Sequence, residues 1–184
     1  MPGRPAERQD PIKVVSYDDR WPVSFAREQV RVEAALAHYL VGRVEHVGST
    51  AIPGLPAKPI IDMLARIGDY DGSAGIAAEL ARIRWVHAPE PGDPERRKWS
   101  FCFPSVTWRT HHLHVWEAAS PNPGQLLRFR DHLRANPGVA AEYARLKSAL
   151  AAADDGDRPR YRAGKAPFIE DVLRAAQGSP AGPS

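Results

Sequence analysis

The stretch from His46 to Leu64 constrains the fold of this chain more than any other part of the sequence. An apolar segment enters the triplet Gly48-Ser49-Thr50, a loop with three prolines follows, and a second apolar segment carries one aspartate, Asp62. Turn residues between two apolar segments are typical of two strands joined by a loop. The stretch therefore predicts a strand, a tight turn and a second strand.

These residues have the chemistry of a phosphate and metal site. Glycine lets a backbone N–H approach an anion, and Ser49 and Thr50 add hydroxyl donors. Lys58 adds a positive charge, and Asp62 can ligate a hard cation such as Mg²⁺. A Gly-Ser pair is also a common turn, and an aspartate at a strand end often caps a loop. Because an unpaired carboxylate is costly to bury among apolar residues, we expect a cation, a donor network or an edge position for Asp62.

The same stretch resembles the signature of the GrpB-like family, in which His-hydrophobic-Gly-Ser-Thr-Ala is followed by Ala-Lys-Pro-hydrophobic-hydrophobic-Asp. The resemblance covers roughly residues 14–176 and implies a nucleotidyltransferase fold: an α/β (α+β) mixed sheet flanked by helices, with a C-terminal helical segment. Further matching residues are Tyr17-Asp18, Trp21-Pro22, His112-Leu113-His114, Phe129 to Arg134, Tyr143, Leu146-Lys147, Tyr161, Lys165 and Phe168-Ile169.

The length of 184 residues suits one domain with a substantial core and is short for two. We predict a single domain over residues 11–176. The flanking residues 1–10 and 177–184 are polar and contain proline, and we expect them to be disordered tails.

Composition limits the partners. A net charge of +3 suits a small anionic ligand, and the chain has no dense basic run with interleaved aromatics, which makes nucleic acid an unlikely partner. No apolar run is long enough to cross a membrane, and residues 1–10 lack the apolar core of a signal peptide. A single cysteine, Cys102, excludes an internal disulfide and fits a reducing compartment, so we expect the cytoplasm. No residue indicates the oligomeric state.

Apolar periodicity predicts a mixed sheet with strands near residues 13, 45, 63, 86, 101 and 114. Helices are expected after Pro22, after Ser73, from Asn122 and from Asn136. The last helix contains Pro167, and we expect a break near Gly164 that would separate Tyr161 from Lys165. Residues 88–98, rich in proline and charge, are expected to form a long exposed loop.

Two strands carry the candidate metal ligands. Alternation places Asp62 and Leu64 on one face of their strand, where the resemblance implies two carboxylates, so half of that pair is missing. His112 and His114 share a face of another strand, and His-x-His is a recurrent metal-ligand arrangement. A pair with one core and one solvated histidine is the plain alternative.

We predict that His112 and His114 converge on Asp62 and, together with His46, hold Mg²⁺ or Mn²⁺. Glu45 and Glu117 are the competing carboxylates. Alternation turns each of them away from the histidines of its own strand, so we expect the histidines, not the glutamates, to reach the ion.

The resemblance implies a metal-dependent nucleotidyltransferase that moves a nucleotidyl group from a nucleoside triphosphate to an acceptor. Asp62 and Lys58 are the candidate catalytic residues. The candidate phosphate and nucleotide contacts are Gly48, Ser49, Thr50, Arg130, Lys147, Tyr161 and Lys165.

Two other functions stay open. Leu64 replaces a metal ligand, which favours a regulatory module that binds a nucleotide or phosphate without catalysis. The three histidines near Asp62 favour, less strongly, a His/Asp metal-dependent hydrolase.

Overall fold

The computed structural model describes residues 12–153 and 157–178. Within these ranges the strands are β1 (Glu45–Val47), β2 (Ile61–Ile67), β3 (Val86–His87), β4 (Lys98–Pro104) and β5 (Arg109–Glu117). The five α-helices are α1 (Arg20–Ala35), α2 (Ile76–Arg82), α3 (Asn122–Ala135), α4 (Pro137–Ala153) and α5 (Arg158–Gly178). Two 3₁₀ turns occupy Ser49–Ala51 and Asp71–Ser73.

The strands form one mixed sheet in the order β1-β2-β5-β4-β3. β2 and β5 are parallel, and the other neighbouring pairs are antiparallel. The predicted α/β class and the strands near residues 45, 63, 86, 101 and 114 are confirmed. The strand expected near residue 13 is wrong, because that segment makes only an isolated bridge between Val15 and Ala57.

One face of the sheet carries the main core, under α1 and α2. The side chains of β2 that point to this face are Ile61, Met63, Ala65 and Ile67, all buried. They pack with α1 and α2 and with inward residues of β4 and β5, which include Val32, Leu36, Ile76, Leu80, Phe101, Leu113 and Val115. Every second residue of β2 thus points into this core, which is the alternation from which the strand was predicted.

The helices α3, α4 and α5 form the expected C-terminal helical segment and enclose a second core. Its buried members are Ile52, Leu55, Leu133, Ala140, Tyr143 and Val172. Two of these residues come from the proline-containing loop after β1, so the loop is fixed between the sheet and the helical segment.

The break expected in the last helix is wrong, since α5 continues through Pro167. Pro167 removes one backbone hydrogen bond of the helix, and contacts with α3 and α4 keep α5 continuous at that point. Gly164 lies against α4, where an added Cβ would be 2.5 Å from Leu150 Cδ2. Glycine therefore permits a close approach of the two helices, and Tyr161 and Lys165 share one rigid element.

The predicted tails fall mostly outside the described residues; Gln177 and Gly178 belong to α5. Cys102 is buried in β4. Within the described ranges, no helix combines the length and apolar character required to span a bilayer.

Candidate metal and anion site

Asp62, His112 and His114 come together on the sheet face that opens toward the helical segment. Because β2 and β5 are parallel neighbours, Asp62 pairs with His112 and Leu64 pairs with His114. His112 Nδ1 lies 3.2 Å from Asp62 Oδ1, and His114 Nε2 lies 3.7 Å from the same oxygen. One ligand atom from each side chain falls within 4.8 Å of the other two. The predicted convergence of the histidines on Asp62 is confirmed, and metal binding stays a prediction.

The two histidines keep Asp62 ionised. Burial by itself raises the pKa of Asp62, but the hydrogen bond with His112 and the adjacent ring of His114 outweigh burial and hold the pKa well below its usual range. The site therefore offers a charged carboxylate oxygen beside two imidazole nitrogens. Imidazole suits transition metals and a carboxylate suits harder ions, so this donor set fits Mn²⁺ better than Mg²⁺.

The turn after β1 is shaped by the carboxylate beside it. Gly48 has φ +72°, and a Cβ built there would lie 2.5 Å from Asp62 Oδ2. Any other residue would have both an unfavourable backbone conformation and a clash with the carboxylate. Gly48 therefore leaves the space that Asp62 occupies.

A cavity of about 380 Å³ lies over the Asp62 cluster, between the sheet and α4 and α5. Five cationic and two acidic residues line it. The lining residues are Ile12, Ser49, Lys58, Ile60, Asp62, Glu90, His112, His114, Lys147, Arg158, Tyr161, Arg162 and Lys165. Five residues predicted to act on the ligand thus line one cavity, and their binding of a ligand stays a prediction: Ser49, Lys58, Lys147, Tyr161 and Lys165.

Lys147 is the most unusual of these cations because it is almost fully buried. Its Nζ donates a 2.6 Å hydrogen bond to the carbonyl oxygen of Pro56 and lies 4.8 Å from the ring centroid of Tyr143. Burial, reinforced by the nearby charge of Lys165, lowers the pKa of Lys147 to about 7. Near neutral pH the protein therefore holds this lysine partly deprotonated.

Tyr161 of α5 lies near two lysines of the cavity wall, Lys165 of the same helix and Lys58 of the segment before β2. Lys165 Nζ lies 4.4 Å and Lys58 Nζ 6.0 Å from the ring centroid of Tyr161. Burial lowers the pKa of Lys165, although the charge of Asp62 opposes that shift. Arg158 and Arg162, which sequence reasoning missed, lie on the same face of α5. Their spacing to Tyr161 and Lys165 was the available signal, and the expected break at Gly164 obscured it.

The loop over residues 88–97 is less exposed than expected. Asp93 is buried and pairs with Lys98 at 3.2 Å, and Lys98 also contacts Glu90 at 2.9 Å. Glu90 Oε1 lies 3.3 Å from Arg162 Nη2 and so links the loop to α5. Burial raises the pKa of Glu90, but Lys98 outweighs burial and lowers it to about 2. The sequence had no local signal for Glu90, because its partners lie on distant elements.

His46 lies on the opposite face of the sheet from Asp62, so the prediction that it joins the metal ligands is wrong. In β1, His46 pairs with Met63, one residue out of phase with Asp62. Its ring stacks on Phe25 at 4.6 Å, and its Nε2 lies 3.0 Å from Thr50 Oγ1. Burial lowers the pKa of His46 to about 4, which keeps it neutral.

Three predicted phosphate contacts, Gly48, Thr50 and Arg130, are not among the residues that line the cavity. Thr50 is buried, and its hydroxyl donates to the carbonyl oxygen of Ile60. Arg130 donates to Glu45 at 2.9 Å and to the carbonyl oxygen of His46 at 3.0 Å, which ties α3 to β1. Thr50 and Arg130 stabilise the turn from behind and do not reach a ligand over Asp62.

The competing carboxylates are engaged elsewhere. Glu45 binds Arg130, and Glu117 binds Arg97 at 2.6 Å. Leu64, at the position where the resemblance implies a second metal carboxylate, is buried against Val47 and Trp116. The cluster therefore has one carboxylate and two imidazoles.

The fold and the site define a mixed α/β protein with a His/Asp cluster at the floor of a cationic cavity. The chain belongs to the GrpB family: the family model described as "GrpB protein" matches residues 11–175. The resemblance seen in the His46 to Leu64 stretch is thereby confirmed.

Solved and curated relatives agree with this assignment. The crystal structure of the conserved protein GrpB from Enterococcus faecalis superposes with a TM-score of 0.79 at 30% identity, over 89% of this chain and 96% of that one. The UPF0157 protein YqkA of Bacillus subtilis is 32% identical over 90% of this chain. A Mycobacterium leprae protein named dephospho-CoA kinase is 30% identical, also over 90% of this chain. The chain spans only 47% and 46% of these last two proteins.

Proposed function

We propose that this protein binds one divalent metal ion together with a nucleotide or a related phosphate compound, and promotes attack of an oxygen on a phosphorus atom of that compound. The observation that carries the proposal is the opening of the Asp62, His112 and His114 cluster into a cavity lined by five cations. A metal site beside a cationic wall is the arrangement that phosphate chemistry requires.

Asp62, His112 and His114 would hold the metal, and Mn²⁺ suits their donor atoms. When bound, the ion would supply the positive charge that polarises a phosphoryl oxygen. Lys58 and Lys165 would bind phosphate oxygens and orient the reacting group. Lys147, buried behind them, would gain its full charge when an anion enters, because an adjacent negative charge raises a lysine pKa.

Nucleotidyl transfer to an acceptor is the reaction that the family resemblance favours: the acceptor oxygen would bond to the α-phosphorus of a nucleoside triphosphate, and the bond to the bridging oxygen would break to release pyrophosphate. Hydrolysis uses the same residues with water as the attacking molecule, and the two-histidine ligand set supports it. Leu64 weighs against a two-metal mechanism in either case, because its buried apolar side chain cannot ligate an ion.

Leu64 also supports a second candidate, a regulatory module that binds the phosphate compound without reacting with it. Leu64 is buried against Trp116 and therefore offers no metal-ligating atom at the position of the missing carboxylate. In that case the cationic cavity would bind a nucleotide or a phosphate compound and leave it unreacted.

Metal binding is tested first, by calorimetric titration of Mn²⁺ into the protein. We expect Asp62→Asn and His114→Gln each to weaken binding at least about tenfold, as expected when one of three ligands is lost. His38→Gln, at an exposed histidine, is the matched control. Unchanged Mn²⁺ affinity in both site variants would refute the proposed metal site.

The reaction is tested with ATP labelled at the α-phosphate, in the presence of Mn²⁺. Production of free AMP supports hydrolysis. Label that appears in another product only when acceptor compounds are added supports transfer. Metal-dependent binding of ATP without turnover under either condition supports the regulatory module.

A further inference from the structure

Most of the residues that line the cavity over Asp62 are charged or polar. Among the described residues, only Ile12 and Ile60 contribute aliphatic side chains to its wall, and Tyr161 is the single aromatic residue apart from the two histidines. Sites for small organic ligands are usually lined mostly by apolar and aromatic side chains. The volume of about 380 Å³ is also near the lower end of such sites. The wall therefore matches a compact, highly charged group.

The aromatic rings at the cavity are already engaged. Tyr161 is buried, and the ammonium groups of Lys58 and Lys165 lie within cation–π distance of its ring. The rings of His112 and His114 face Asp62. Residues 1–11, 154–156 and 179–184, outside the described structure, contain no aromatic residue. No aromatic surface is left in the cavity on which a nucleotide base could stack.

Two of the cavity lysines, in contrast, have no acidic partner among the described residues. Lys147, which is buried, and Lys165, which is half-buried, form no ion pair there with a carboxylate. Glu90 is shared between Lys98 and Arg162. Asp62 is engaged by the two histidines. Desolvated cations are stabilised strongly by an anion, and several adjacent ones favour an anion with several charges.

We infer that this site recognises its ligand through a chain of two or three linked phosphates and not through a base. The inference rests on the proposed metal and phosphate function and specifies its substrate class. Inorganic triphosphate and all nucleoside triphosphates would then bind alike, with Lys58, Lys147 and Lys165 along the phosphate chain and the nucleoside outside the cavity. Each phosphate gains charge-assisted hydrogen bonds that a base cannot replace.

The test is calorimetric titration of inorganic triphosphate, pyrophosphate, orthophosphate, ATP, GTP, CTP and UTP, with free Mn²⁺ and ionic strength held constant. We expect the five triphosphates to agree in Kd within about threefold. Removal of each phosphate should weaken binding about tenfold, the loss of at least one charge-assisted contact. A preference above about tenfold for one base, or orthophosphate binding as tightly as triphosphate, would overturn the inference.

Two variants of α5 distinguish recognition of the phosphate chain from a general disturbance of the helix. Lys165→Met should weaken triphosphate about tenfold or more and orthophosphate much less, since the shorter anion makes fewer contacts. Arg174→Gln, on the exposed side of the same helix, is the matched control and should leave both affinities unchanged. Equal losses for triphosphate and orthophosphate in Lys165→Met would contradict recognition of a phosphate chain.

The failure of this inference is distinguishable from that of the proposed function. Base-selective binding that requires Mn²⁺ and Asp62 would leave the proposed function intact and refute recognition through phosphates. Binding of none of the seven compounds by a protein that still binds Mn²⁺ would refute both.

Discussion

The two faces of strand β2 differ in what they contribute to the protein. Ile61, Met63 and Ala65 point under α1 and α2 into a closed apolar core. Asp62, between them in sequence, points to the other face with His112, beneath a cavity of charged residues. One strand thus supplies stability on one side and chemistry on the other.

The comparison teaches where the free energy of folding comes from. Each apolar side chain on the closed face stabilises the fold by its burial. The open face gathers partly desolvated lysines whose charges repel, and this opposes folding. The closed face must therefore compensate for the open one, and substitutions of side chains on the two faces should differ in the size of their effect on the free energy of unfolding.

The largest effect is expected on the closed face. Leu113, fully buried between His112 and His114 in sequence, points away from them into the core. Leu113→Ala should lower the free energy of unfolding by about 2–5 kcal/mol, because it leaves a cavity in a packed region. Urea denaturation measures the change.

The matched substitution on the open face is His114→Gln, one residue along the same strand. It should change the free energy of unfolding by less than about 1 kcal/mol, in the range of substitutions outside the core. An equal loss of stability in both variants would show that the two faces do not divide stability and function as described.

The alternation along the strands was predicted correctly from the sequence, and so was the convergence of the two histidines on Asp62. Alternation within a strand is local, so it is readable without knowing the neighbours. The error at His46 arose across two strands: it pairs with Met63, and that register depends on how the turn at Gly48 folds. Pairing between strands is a tertiary property that a single sequence does not display.

The cationic wall was predictable only in part. Lys58 was found because it lies in the signature stretch, whereas Glu90 was missed because its loop and α5 are brought together by the fold. Arg130 was assigned to a ligand because its segment resembles the family pattern. In the structure it binds Glu45 and a backbone carbonyl, and a charged residue in a motif can serve either purpose.

A pH-dependent effect is expected at Lys147. Its pKa falls from an ordinary 10.5 to about 7 in the folded protein, so between these values the unfolded chain binds more protons. Wild-type stability therefore gains from this group as pH rises from about 7 to 10. Lys147→Met cannot titrate at this position. Its free energy of unfolding should therefore rise relative to that of the wild type by about 2–3 kcal/mol when the pH falls from 9 to 6.

Unfolding in urea at pH 6 and pH 9 measures that difference. Met keeps the length and the packing of the side chain but carries no charge, so the pH dependence isolates the ionisation. If the stabilities of Lys147→Met and the wild type run parallel between the two pH values, Lys147 is not held in the desolvated state described.

A smaller effect separates two glycines of similar φ. Gly48 and Gly54 have φ of +72° and +75°, so alanine is strained at either position, and Gly48, with ψ −170°, lies in a region that is essentially restricted to glycine. A Cβ at Gly54 meets nothing within 4 Å, whereas one at Gly48 meets the carboxylate of Asp62. Gly48→Ala should therefore lower the free energy of unfolding by about 1–2 kcal/mol more than Gly54→Ala does, and it should also weaken Mn²⁺ binding. Similar effects of the two variants would mean that Asp62 moves aside freely.

The smallest change in stability is expected at the rim of the cavity. Arg162 is exposed, and its ion pair with Glu90 at 3.3 Å is of the kind that contributes little to folding. Arg162→Gln should alter the free energy of unfolding by less than about 0.5 kcal/mol, as thermal denaturation would show. Its effect on inorganic triphosphate should nevertheless be several-fold, because an anion in the cavity competes with Glu90 for the guanidinium. The same substitution thus separates the free energy of unfolding from the affinity for triphosphate. A loss of stability without a loss of affinity would show that Arg162 stabilises the fold and does not bind the ligand.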